Sequence, residues 1–113
     1  MTRSHVTTHI LDTGAGRPAA GVAVSLWAAR GEGWDRVADG TTDDDGRVSS
    51  LGPDQLAAGT YRIDFATGDY FAATGIETFF PSVSLTFALT DEAQHYHVPL
   101  LLSPFAYSTY RGS

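Results

Sequence analysis

The chain has 113 residues, 42% of them hydrophobic and 18% charged, which is enough for one compact domain with a true core and too little for two ordinary ones. Seven arginines and no lysine stand against thirteen acidic residues, a formal net charge of -6 without a basic cluster, so no nucleic-acid partner is expected: phosphate binding needs a positive footprint. Cysteine is absent, which removes disulfides, thiolate metal sites and a cysteine nucleophile, and no apolar run approaches membrane-spanning length.

The N-terminal stretch "MTRSHVTTHILD" lacks the apolar run and small-residue cleavage site of a secretory signal, so an intracellular, most simply cytoplasmic, protein is expected. The first predicted strand, His5–Leu11, sets Val6, Thr8 and Ile10 on one face and His5, Thr7, His9 and Leu11 on the other, because strand side chains alternate. His9 therefore points away from the aliphatic face. The turn-forming "DTGAGRPAAG" leads to strands over Gly21–Ala29 and Trp34–Thr41, separated by "ARGEG".

The acidic "DDDG" from Asp43 lacks the alternating oxygen ligands and distal glutamate of a calcium loop, so Asp43, Asp44 and Asp45 read as a solvated turn. Its Asp-Gly pair aims the next side chain, Arg47, in a short strand over Gly46–Ser49. A guanidinium so placed can clamp the carbonyls or anionic edge of a small planar substrate, or it can pair with the neighbouring aspartates.

Beyond "GPDQ" and "AAGT", the strand Thr60–Phe65 alternates Tyr61, Ile63 and Phe65 with Arg62 and Asp64. Thr67–Gly75 has acceptable helix formers and a terminal glycine, and is predicted to form one short helix. Val83–Leu89 alternates again. In His95–Leu102 the aliphatic face carries Tyr96, Val98, Leu100 and Leu102, and its opposite carries His95, His97, Pro99 and Leu101. A last strand spans Ala106–Tyr110. About eight short strands punctuated by turns predict an all-β sandwich or barrel with one short helix, built as a single domain over residues 1–113.

His9 and His97 lie on the non-aliphatic faces of two strands that can be neighbours. Imidazoles titrate near neutrality, so such a pair can relay a proton to or from water. A zinc site would need a third ligand that no spacing supplies, and no metal is expected. There is no Gly-rich phosphate loop, no Ser–His–Asp order and no nucleophile elbow, hence no evident covalent nucleophile.

"THILD" at Thr8–Asp12, "GRPAAGVAVSL" at Gly16–Leu26, "TTDDDGR" at Thr41–Arg47 and the closing "HYHVPLLLSPFAYSTYRGS" together resemble the 5-hydroxyisourate hydrolases, the transthyretin-related family, over essentially the whole chain. The first three stretches are shared with many non-catalytic sandwiches. His9, His97 before "VPLLLSP", and "YRGS" at Tyr110–Ser113 are the marks of the hydrolases. The resemblance implies a transthyretin-like two-sheet β-sandwich in a homotetramer, with the first, fourth and last two strands in one sheet facing a central channel. It implies catalysis by His9, Arg47 and His97, with Tyr110, Arg111, Gly112 and Ser113 joining His9 and Arg47 in substrate binding. It also implies hydrolytic opening of 5-hydroxyisourate to 2-oxo-4-hydroxy-4-carboxy-5-ureidoimidazoline in urate catabolism, without a metal or organic cofactor. The alternative is a small-ligand carrier of the same architecture.

Overall fold

A computed structural model describes residues 3–113. Nine strands and one helix follow in chain order: β1 (Val6–Asp12), β2 (Arg17–Pro18), β3 (Ala23–Arg30), β4 (Gly33–Thr41), β5 (Arg47–Val48), β6 (Gly59–Phe65), α1 (Thr67–Ala73), β7 (Val83–Leu89), β8 (Tyr96–Ser103) and β9 (Ala106–Thr109). They form two sheets. One has the order β2-β1-β8-β9, with β5 also paired to β1, and the other has the order β4-β3-β6-β7. The predicted sandwich and its short helix are therefore present, with strand ends displaced by one or two residues. The additional strand is β2, whose two residues pair with Leu11 and Asp12. A segment that short carries no periodicity of its own and becomes a strand only through its neighbour.

The alternation seen in the sequence decides which faces meet. Tyr61, Ile63 and Phe65 of β6 are buried together with Val6 and Ile10 of β1 and with Tyr96, Val98, Leu100 and Leu102 of β8. Full burial of a side chain such as Ile10 or Phe65 stabilises the fold by roughly 1.5–3 kcal/mol. With its apolar set spent inward, each strand of the first sheet turns its remaining side chains outward, and these include His9 and His97.

Helix α1 follows β6 and buries Phe71, while the Tyr70 hydroxyl donates to Asp12 Oδ2 at 2.7 Å and so ties the helix to the end of β1. Burial, then the hydrogen bond to Asp12, push the Tyr70 phenol up to about 12. Gly75 ends the helix at φ 71°. Its N–H donates to the Ala72 carbonyl and the N–H of Ile76 to that of Phe71, the paired closure for which a glycine is favoured.

Candidate active site

Pairing in the first sheet gathers the site. Strand β1 lies parallel to β8 with Thr7 opposite His97 and His9 opposite Pro99, and on its other side it runs antiparallel to β5 with His9 opposite Arg47. Side chains directly opposite one another share a face. Arg47 and His9 therefore stand in one row and Thr7 and His97 in the next, all on the outward face, and the sheet juxtaposes the three residues expected to be catalytic.

The turn before β5 aims Arg47. The Asp43 carboxylate accepts the N–H groups of Asp45 and Arg47 at 2.9 and 3.0 Å, and Gly46 adopts φ 75°. A Cβ on Gly46 would meet the Ile10 carbonyl oxygen at 2.4 Å, so only glycine lets the turn dock on β1. The expectation of a solvated acidic turn holds for Asp44 and Asp45, whereas Asp43 folds it. The ion pairs among the described residues are Arg30–Asp35, Arg36–Asp39 and Arg62–Asp64, so the alternative that Arg47 pairs with its neighbouring aspartates is not realised.

The four histidines differ in their surroundings. His5 is buried and spends both ring nitrogens on backbone, with Nε2 2.6 Å from the Gln94 carbonyl and Nδ1 accepting from Leu56 N–H at 2.9 Å, which makes it a structural residue. His95 and His97 both contact the Thr7 hydroxyl. The His9 ring, half-buried, hydrogen-bonds to none of the described residues. His97 is held below the usual imidazole value of 6.5 by burial first, then by the charges of Arg47, His9 and Arg3, partly offset by the backbone of Thr7. It is therefore neutral at pH 7, as a base must be.

The tail is split. Gly112 pairs with His97, its N–H donating to the His97 carbonyl at 2.8 Å, and a Cβ there would lie 2.6 Å from His97 Cδ2. Glycine is what allows the tail to lie flat on the imidazole edge. Ser113 lines a recess of about 110 Å³ with Arg3, Thr7, Arg47, Ser49 and His97. Tyr110 and Arg111 line, together with His97, a second cleft of about 430 Å³ at the sandwich edge, where the Arg111 guanidinium sits 4.3 Å from the Tyr96 ring centroid and donates to Gln94 Oε1 at 2.9 Å. Within one protomer, then, Arg47, His97 and Ser113 share the recess, His9 stands opposite Arg47 on the same face and Gly112 packs on His97, whereas Tyr110 and Arg111 meet His97 from the edge cleft on its other side.

Arg3 and Thr7 of this recess are not among the residues singled out from the sequence. Thr7 shares the outward face with His9 and His97, and that face assignment was the available signal. Two guanidiniums beside the neutral His97 imidazole suit a small, carbonyl-rich or anionic ring. A groove of about 570 Å³ on the outer side of the second sheet is lined by residues that include Ser25, Arg36, Asp39 and Asp64 and holds no histidine. Among the described residues no three His, Cys, Asp or Glu side chains converge in a way that could hold a metal ion.

A family model described as the HIUase/Transthyretin family matches residues 6–112. A 5-hydroxyisourate hydrolase of Salmonella dublin is 48% identical over 109 residues, covering 96% of this chain and 80% of that protein. The solved 5-hydroxyisourate hydrolase of Klebsiella pneumoniae superposes with a TM-score of 0.85 at 39% identity, covering 96% of this chain and 98% of the other. Sea bream transthyretin in complex with thyroxine superposes with a TM-score of 0.88 at 33% identity, over 95% and 93% of the two chains.

Proposed function

The chain belongs to the HIUase/transthyretin family, and from that premise we propose that it is a 5-hydroxyisourate hydrolase, a cyclic amide hydrolase of urate breakdown. The observation that carries this reading is the placement of Arg47, His9 and His97 in two adjacent rows of one outward face, with His97 neutral and Gly112 packed on its edge. A transthyretin fold used only for carriage has no need of such a proton-accepting pair beside a guanidinium.

In the mechanism that follows, His97 is the general base. Thr7 occupies Nδ1 and leaves Nε2 for a water molecule that His9 helps to orient. The water oxygen attacks the ring amide carbonyl as its proton passes to His97, and Arg47 stabilises the developing oxyanion. The C–N bond then breaks, the leaving ring nitrogen takes back a proton, and the product bears a carboxylate and a ureido group, as in 2-oxo-4-hydroxy-4-carboxy-5-ureidoimidazoline. A positioned base contributes ~10²–10⁴-fold and an oxyanion donor a comparable factor. Ser113 and Gly112 wall the substrate on this protomer. No step calls for a metal or organic cofactor.

Assembly belongs to the same proposal. The recess of about 110 Å³ is small against the roughly 300 Å³ at which small-molecule pockets begin, so one protomer encloses the substrate only in part. Phe79, Phe105 and Tyr110 are 71%, 63% and 58% exposed, apolar area suited to subunit contacts. Both features support a homotetramer in which a neighbouring copy closes the site and Tyr110 and Arg111 serve it from across a contact. One core cluster and a family match from residue 6 to 112 support a single domain over residues 1–113. Among the described residues no helix is long and apolar enough to cross a membrane. A cytoplasmic location is the setting we propose.

The test is to generate 5-hydroxyisourate fresh from urate and follow its ultraviolet decay with and without the pure protein. Acceleration over the spontaneous decay is expected, and His9→Ala and His97→Ala should each reduce it by about 10²-fold or more with the β-sheet spectrum unchanged. If the wild-type protein leaves the decay rate unaltered, the hydrolase assignment fails in favour of a small-ligand carrier like the thyroxine-bound sea bream protein.

A further inference from the structure

The hydrogen-bond chain does not stop at His97. Thr7 Oγ1 lies 2.8 Å from His97 Nδ1 and 2.9 Å from His95 Nε2, so a single hydroxyl bridges two imidazoles. The parallel register of β1 on β8 sets Thr7 opposite His97, and His95, two residues earlier, projects from the same face. A hydroxyl has one proton to give and lone pairs to accept with, so Thr7 can donate to one ring while it accepts from the other, the arrangement that couples the two rings through it.

We propose that Thr7 and His95 form a proton reservoir for His97, holding the proton taken from water on His95 until the leaving nitrogen claims it. The inference rests on the hydrolase reading for its catalytic use. In the receptive arrangement His97 Nδ1–H donates to Thr7 Oγ1, Thr7 O–H donates to His95 Nε2, and the Nε2 lone pair of His97 is free. When His97 Nε2 accepts the water proton, its Nδ1 proton passes to Thr7 Oγ1 while the Thr7 proton passes to His95 Nε2. His97 is then neutral with its proton on Nε2, Thr7 is again a hydroxyl, and the positive charge sits on His95. Transfer of the His97 Nε2 proton to the leaving nitrogen runs the chain in reverse and restores the starting arrangement, with no proton gained or lost.

The surroundings explain what the transfer achieves. His97 shares its face with Arg47, His9 and Arg3, whose charges oppose a second cation beside the developing oxyanion. His95 faces Arg3, His5 and His97, and Arg47 is not among the charges acting on it. It lines a separate polar recess of about 140 Å³ whose walls carry Asp54 and Glu92 as well as Arg3. Burial disfavours the charged form of both rings, so neither retains the proton after turnover. Neither Thr7 nor His95 touches the substrate in this scheme: both are positioning residues that act through His97.

Thr7→Val, Thr7→Ser and His95→Gln separate this role from a structural one. Thr7→Val keeps the shape and removes the bridge, Thr7→Ser restores it, and His95→Gln retains a hydrogen-bonding group that cannot carry the proton. The proposal expects kcat to fall about tenfold or more in Thr7→Val and His95→Gln, with KM within about twofold, and to stay near the wild-type value in Thr7→Ser. Titration of the substrate-free protein labelled with ¹⁵N-histidine should show His95 and His97 titrating as a coupled pair, uncoupled in Thr7→Val and coupled again in Thr7→Ser. Wild-type kcat and pH profile in folded Thr7→Val, or independent titration of the two histidines in the wild-type protein, would overturn the reservoir. A wild-type protein that does not accelerate 5-hydroxyisourate decay overturns the hydrolase reading instead, and the NMR titration still decides whether the two rings share a proton.

Discussion

Arg47 and His97 acquire their chemistry from their neighbours. Removing the Arg47 charge relieves part of the repulsion that holds His97 below 6.5, so the His97 value should rise in Arg47→Gln. The active base is the neutral ring. Wild-type kcat/KM should therefore persist as pH falls past 6.5 and decline only below it, and in Arg47→Gln the decline should begin at higher pH; pH–rate profiles of the two proteins measure the displacement. An identical acidic limb in both would show that Arg47 does not reach His97 electrostatically. Arg47→Lys should retain much of the charge and lose the planar fork, so it should keep the wild-type limb while kcat/KM falls by about tenfold or more.

Two glycines join secondary-structure elements to the site and should respond differently when a methyl group is added. Gly46→Ala places a Cβ 2.4 Å from the Ile10 carbonyl at a φ of 75°, so the turn must leave β1 and take the two-residue β5 with it. A loss of about 2 kcal/mol in denaturant unfolding is expected, together with reduced turnover. Gly112→Ala presses on His97 Cδ2 from an exposed tail, so turnover should drop while stability moves by less than about 0.5 kcal/mol. Equal stability losses in the two variants would mean that the tail bears on the core as well as on the imidazole. The contrast follows from placement: β5 is inserted beside a central strand, whereas the tail leans on β8 from outside, through Gly112, the Arg111 guanidinium over Tyr96 and the Thr109 hydroxyl, which donates to the Pro99 carbonyl at 2.6 Å.

For the assembled molecule, removal of Tyr110–Ser113 is the informative change. These residues add little buried apolar area, so the core should tolerate their loss. The truncated chain should fold and, if the proposed tetramer forms, keep the sedimentation of the full chain while losing most of its turnover. Monomers would instead assign the tail to assembly, and full activity would leave catalysis to His9, Arg47 and His97 alone.

Local pattern sufficed for the architecture. Alternation in Tyr61–Phe65 and in Tyr96–Leu102 identified the buried faces, and Gly75 marked the helix end, because side-chain period and backbone preference are properties of a few adjacent residues. The same alternation turned His9 and His97 outward. Their juxtaposition with Arg47, by contrast, depends on how β1 registers against strands distant in sequence, and a shift of one residue would send every one of these side chains to the other face. That long-range register also made Thr7 the bridge between His95 and His97, and the turn of the tail sent Tyr110 and Arg111 to the sandwich edge while Gly112 and Ser113 stayed beside His97. The sequence names the chemical groups that are present, but their distances are set by contacts between segments some ninety residues apart, whose closure only the packed core can stabilise.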